Sequence, residues 1–104
     1  MTNTDAPAWV SILPEDILRR AYHSENELAW NRSDALRVAT ILQDRGYRII
    51  GVDTWLPTRP GPTPLIEDWD ESHALSALDF IKTFEPNKAY GGHDGMIVYF
   101  NFCV

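Results

Sequence analysis

Apolar positions change their spacing from one segment of this chain to the next, and the changes mark its elements. Ala35, Val38, Ala39 and Leu42, widened by Leu36 and Ile41, recur three and four apart, which predicts a helix with one buried face. Ser33 stands where the N-cap of that helix belongs, Asp34 falls in its first turn, and Gly46 follows Arg45 as a C-terminal stop. A second stripe, Ala74, Ala77, Leu78 and Ile81 with Leu75 and Phe84 alongside, predicts a helix over Glu71–Phe84 capped by Asp70. A shorter one, Ile17, Leu18, Ala21 and Tyr22, starts from Pro14 at the first helical position and ends within His23–Asn26. Glu15 and Asp16 complement the positive end of its dipole.

Other segments predict strands. "YRIIGVDTWL" (Tyr47–Leu56) is rich in β-branched and aromatic residues, with Gly51 marking a bulge or a close backbone approach. "MIVYFNFCV" (Met96–Val104) predicts a central, buried closing strand, with Cys103 as a core thiol. "WVSIL" (Trp9–Leu13) fits a short strand or a staple before the first helix, and "ELAW" (Glu27–Trp30) a brief strand or an extended link. The order predicts an α+β fold: a single small domain over residues 9–104, about three helices packed on a small sheet with a buried C-terminal strand. Residues 1–8 are polar and expected to be disordered.

Between the Tyr47–Leu56 strand signal and the last helix runs "PTRPGPTPLIEDWDE" (Pro57–Glu71), whose prolines at 57, 60, 62 and 64 cannot donate to a ladder. The proline half predicts an extended, semi-rigid path, at ~3 Å per residue where it is polyproline-like. That path crosses from the strand to a helix cap, and its acidic half, around Trp69, faces outward.

Composition narrows the function. The 104 residues are 44% apolar and 12% aromatic, as in an ordinary folded domain. Nine basic and fifteen acidic residues leave a net charge of -6, which disfavours nucleic acid and suits a basic partner or simple solubility. One cysteine rules out an internal disulfide and a multi-cysteine zinc site, and fits a reducing, cytoplasmic setting. The first ten residues have no signal-peptide pattern, and no apolar run is long enough to span a membrane.

Catalytic signatures are scarce. His23, His73 and His93 fall in different segments, and no paired metal-ligand spacing occurs. "YGGHDG" (Tyr90–Gly95) is the most enzyme-like phrase, yet it lacks the spacing of a phosphate-binding loop and reads first as a turn. The expectation is therefore a protein without catalysis, cofactor or metal. Four tryptophans leave binding as the stronger theme. Trp69, among Glu67, Asp68, Asp70 and Glu71, fits an interface anchor steered by acids, or a staple that tucks back onto the following helix.

Three segments, "NRSDALRVATILQDRGYRIIGVDTWL", "EDWDESHALSALDFIKTF" and "GMIVYFNFCV", together resemble the small immunity proteins of bacterial polymorphic toxin systems. The resemblance spans roughly residues 25–104 and lies in the order of elements, the Gly51-Val52-Asp53 sequence and the tryptophan-bearing loop. It implies a protein that binds a cognate toxin domain and blocks its active site, itself performing no chemistry. An acidic chain suits a toxin with a basic cleft. Asp53, Trp55, Glu67, Asp68, Trp69, Asp70 and Glu71 are then the expected contacts. Two alternatives stand beside it: an adaptor that pairs a peptide with the backbone of Tyr47–Leu56, and a small ligand-binding or enzymatic domain using His93, Asp94 and Asp53 around the glycines at 91–95.

Overall fold

A computed structural model of the chain describes residues 8–25, 27–58, 60–65, 67–85 and 97–104. Three helices, α1 (Glu15–Arg19), α2 (Arg32–Asp44) and α3 (Ala77–Thr83), lie with a curled antiparallel sheet of six short strands. The strands are β1 (Tyr22–Ser24), β2 (Glu27–Trp30), β3 (Gly51–Leu56), β4 (Thr63–Pro64), β5 (Trp69–Asp70) and β6 (Tyr99–Cys103). Their order is β1-β2-β6-β3-β4, with β5 also beside β3. The α+β architecture and the central place of the closing strand are as the sequence predicts: β6 pairs with both β2 and β3.

α2 is the element whose pattern is clearest, and its buried face is Ala35, Val38, Ala39 and Leu42. Its N-cap is Asn31 and not Ser33, because the Asn31 side chain accepts the Asp34 N–H at 2.9 Å. Gly46, at φ 83°, ends it: Gly46 N–H donates to Gln43 and Tyr47 N–H to Leu42, the paired bonds of a left-handed glycine cap. Arg32 in the first turn of α2 reaches across to the end of α3 and donates to the carbonyls of Ile81, Lys82 and Phe84 at 2.8–3.0 Å. It thus satisfies orphan acceptors that a short helix leaves open.

Several boundaries differ from the expected ones. Ala8–Ile12 forms a 3-10 turn, not a strand, and Trp9 from it packs on Trp30 (ring centroids 6.2 Å apart) and on Phe102 (6.5 Å). α1 closes at Arg19, and Tyr22, expected on its apolar stripe, belongs to β1. The strand expected over Tyr47–Leu56 is regular only from Gly51, although Ile50 N–H already donates to Cys103 at 2.8 Å. α3 starts at Ala77, capped by Ser76 rather than Asp70. Asp70 instead accepts from the backbone and hydroxyl of Ser72, a local turn that competes with helix. Of the stretch expected to be disordered, Ala8 opens the 3-10 turn and 1–7 lie outside the described residues, as does Tyr90–Gly95, where a turn is expected.

The proline-rich stretch does not cross to a helix. It turns back, and Thr63–Pro64 pairs antiparallel with the end of β3, placing Pro64 opposite Trp55 and Thr63 opposite Leu56. Proline is tolerable there because β4 is an outer strand. Further along, Trp69 pairs with Val52 and Asp70 with Gly51. Between the two ladders the register shifts by two, so Leu65, Glu67 and Asp68 lie in the stretch opposite Asp53 and Thr54. This wide bulge is pinned by the bond from Leu65 N–H to the Thr54 carbonyl and by the Thr54 hydroxyl on the Glu67 carbonyl.

Register divides the sheet into two faces. Trp30, Phe100, Phe102, Val52, Thr54, Leu56 and Trp69 face one way, and all but Thr54 join α2 and α3 residues in the hydrophobic core. The opposite face carries Tyr22, Glu27, Ala29, Tyr99, Asn101, Cys103, Asp53, Trp55 and Asp70, and no described helix packs on it. Cys103 is exposed, not the core thiol its alternation predicts, because it sits on this second face at the end of β6.

Candidate binding surface

The helix-free face is built from rows that cross the sheet. One row runs Tyr22, Ala29, Asn101, Asp53 through β1, β2, β6 and β3; the next carries Tyr99, Trp55 and Pro64. Where the rows meet, Tyr22 lies edge-on to Trp55 (6.3 Å) and to Tyr99 (5.2 Å), although β1 and β3 are separated by two strands. At ~4.8 Å per strand, side chains on β1 and β3 start about 14 Å apart on a flat sheet, so curling and inward-leaning rings bring this face together. Ala29 is fully buried and Trp55 8% exposed, yet neither belongs to the core under the helices. They form the floor and one wall of a shallow aromatic corner.

Acids gather at the other end. Asp53 points from the middle of β3, and the bulge brings Asp68 close enough that its charge adds to the partial burial of Asp53. Burial first and Asp68 second raise the Asp53 carboxyl above its ordinary value of 3.8. Glu67, beside Asp68, is exposed. Asp70 faces the same way but is held in its Ser72 turn, whose hydroxyl and backbone N–H, with a smaller contribution from His73, draw its carboxyl below the usual range. Glu71 is gripped by two donors of Arg48, its Nε and Nη2, so its charge is already answered.

Of the seven expected contact residues, the fold therefore assembles Asp53, Glu67 and Asp68 around one bulge and sets exposed Asp70 and largely buried Trp55 on the same face. Trp69 is turned the other way. It is 8% exposed, lies in the core cluster, and donates its indole N–H to the Leu75 carbonyl at 2.8 Å. It is an internal support of the surface and not one of its exposed members. The alternative centred on the backbone of Tyr47–Leu56 loses its edge over the regular strand, because β3 has β6 on one side and β4 and β5 on the other. His93 and Asp94, the centre of the other alternative, lie outside the described residues.

Sequence reasoning missed Glu27, Asn101, Tyr22 and Tyr99. Asn101 did leave a signal, a polar residue inside the apolar run "YFNFC". It is 7% exposed and donates from Nδ2 to the Leu28 carbonyl at 2.8 Å, bridging the point where β2 and β6 separate. Their ladder consists of only Ala29–Asn101 and Trp30–Phe100. Beyond it a notch of about 300 Å³ opens, lined by Glu27, Asp53, Asn101 and Cys103 toward the open face and by Trp9, Val10, Leu28 and Phe102 beneath.

Charge is distributed unevenly over the molecule. Among the described residues, ion pairs engage Glu15, Asp16, Asp34, Glu71 and Glu85. Glu27, Asp53, Glu67, Asp68 and Asp70 are in none, nor are Glu25, Asp44 and Asp79 outside the strands, and the strand positions of the helix-free face hold no lysine, arginine or histidine. No group of three or more His, Cys, Asp or Glu side chains among the described residues is arranged to hold a metal ion, and no described helix is long and apolar enough to cross a membrane. Comparison with protein-family models, curated proteins and solved structures returned no match to any of them.

Proposed function

We propose that the protein acts by binding, as an immunity protein that neutralises a toxin domain by laying its acidic, aromatic sheet face over a basic active-site cleft. The observation that carries this reading is the concentration of carboxylates in no described ion pair on the one sheet face without helices, beside an aromatic corner. Large rings supply contact area and carboxylates supply steering toward a basic partner. The net charge of -6 extends that attraction beyond contact distance. The sequence resemblance to immunity proteins supports the same reading. Trp69 contributes from within, by fixing β5 and hence the bulge that presents Glu67 and Asp68.

The test is to sequence the neighbouring reading frames for a toxin domain and to co-express the chain with it. The wild-type chain should restore growth of cells producing that toxin, while a triple variant, Asp53→Asn, Glu67→Gln and Asp68→Asn, should restore it poorly despite folding normally. Full rescue by the triple variant would refute the acidic face as the contact, and absence of rescue by the wild type would refute the function.

A further inference from the structure

The notch where β2 and β6 separate goes beyond a charged surface, because it has a floor, a rim and a buried acceptor. Its rim carries two carboxylates from different strands, Glu27 and Asp53, neither in a described ion pair. Trp9 and Val10 of the turn beneath line its other side. Asn101 lines the notch while being 7% exposed. Its amide orientation is fixed: Leu28 presents a carbonyl, which only the amide nitrogen can answer. Its oxygen, Oδ1, consequently faces away from that bond and accepts nothing among the described residues. Oδ1 is therefore left as an acceptor for a donor that enters the notch.

We propose that this notch is a subsite for a guanidinium group, the side chain of one arginine offered by the protein partner. The inference rests on the binding reading above and names the chemistry of its central contact. A guanidinium is planar, carries five N–H donors and no acceptor, and stacks on aromatic rings. The notch offers matching groups: two carboxylates and one amide oxygen as acceptors, with Trp9 in its apolar lining. At about 300 Å³ it stands at the small end of ligand pockets, which run from ~300 to 1,000 Å³, so it accommodates one side chain and not a large cofactor. Asp68 adds negative potential from the adjoining bulge, and the raised carboxyl of Asp53 is what an arriving cation would relieve.

The test uses the full chain, isotopically labelled, titrated with N-acetyl-arginine amide and, separately, with N-acetyl-lysine amide. Arginine amide should shift the Asn101 side-chain amide and the Trp9 indole resonances along one saturable curve, and the lysine compound should bind more weakly. Glu27→Gln and Asp53→Asn, made singly and checked for an unchanged fold by circular dichroism, should each weaken the arginine site about tenfold or more, the scale of one charge-assisted hydrogen bond. Should either variant fold poorly, the wild-type titration repeated at falling pH supplies the same reading, since protonation of the carboxylates should abolish binding. Shifts that never saturate, or that persist undiminished in both variants, would overturn the subsite. Equal binding of the lysine compound would overturn its assignment to guanidinium. A saturable arginine site in a wild-type chain that fails to rescue growth would sink the toxin reading alone, and growth rescue without an arginine site would sink the subsite alone.

Discussion

Trp69 separates the two readings that its sequence context allows, and a substitution series at this position has opposite consequences under each. As an exposed anchor, Trp69→Ala leaves a stable protein that binds weakly; as a core residue, it leaves an unstable one. The indole is 8% exposed, packs in the main core cluster and pins the turn before α3 through its bond to Leu75. Truncating a buried tryptophan to alanine costs about 3–5 kcal/mol, most of it lost burial and the cavity left behind. Leu75 is 40% exposed, so water replaces the lost donor at its carbonyl and the hydrogen bond adds only about 1 kcal/mol. Against a total of about 5–15 kcal/mol for a domain, the alanine variant should lose a large share of its stability. Trp69→Phe keeps most of the apolar bulk and should lose about 1–2 kcal/mol, a melting shift of ~4–8 °C per kcal/mol for a chain near this size. Far-ultraviolet circular dichroism in urea is the suitable assay, because Trp9, Trp30 and Trp55 would confuse a fluorescence signal. An alanine variant whose unfolding midpoint matches wild type would refute the core placement, and with it the role of Trp69 in holding β5 against β3.

Three further outcomes check other parts of the structure. The folded state raises the Asp53 carboxyl above 3.8, so its unfavourable contribution is absent below that value, grows as pH rises through the raised one and is complete above it. Asp53→Asn should therefore melt higher than wild type at neutral pH and lose that advantage in acid; a pH-independent difference would contradict the burial and Asp68 account. Asn31→Ala should cost about 1 kcal/mol in urea unfolding while Ser33→Ala changes little, and the reverse ranking would restore Ser33 as the cap of α2. Cys103, exposed at the end of β6, should react with an aromatic disulfide reagent in the native protein at a rate close to that in denaturant; strong native protection would contradict its position on the open face.

Periodicity made the strongest elements legible, because their patterns are local and long. α2 announces itself through Ala35, Val38, Ala39 and Leu42, and β6 through five residues dense in aromatics. The start of α3 was not legible, because the stripe from Ala74 and Leu75 belongs to exposed turn residues. Asp70 bonds to Ser72 first, and Ser76 supplies the better cap. The return of the proline-rich stretch onto β3 could not be read either, since pairing of Thr63–Pro64 with Trp55–Leu56 depends on partners and not on the stretch itself. The same holds for the surface. Glu67 and Asp68 were visible as a run, whereas Glu27 and Asn101 join Asp53 only through the order β2-β6-β3, in which the last strand of the chain is inserted between two earlier ones.

Some acids of this protein should respond to neutralisation with opposite signs. Asp34 accepts two bonds of 2.8 Å from Arg20 and is 5% exposed; Asp16 meets both Arg20 and Arg37; Glu71 is held by Arg48. Hydrogen bonds from arginine lower the carboxyls of Asp34 and Asp16, so these two stabilise the fold above their unfolded value of 3.8 and cease to do so as pH falls through the lowered one. Removing those charges should weaken the protein and leave the helix-free face intact. Asp53, with Asp68 beside it, has the opposite balance: the fold holds it at a cost, on a bulge that is itself pinned by Thr54 and Leu65. A flexible loop would let like charges drift apart, but a bulge bonded to a central strand does not. The proline-rich stretch thus matters less as an arm than as the outer half of a sheet that fixes carboxylates where stability alone would not keep them. Under the binding reading, the Asp53 change that gains stability is the one that loses affinity, and that opposition separates a functional acid from a structural one.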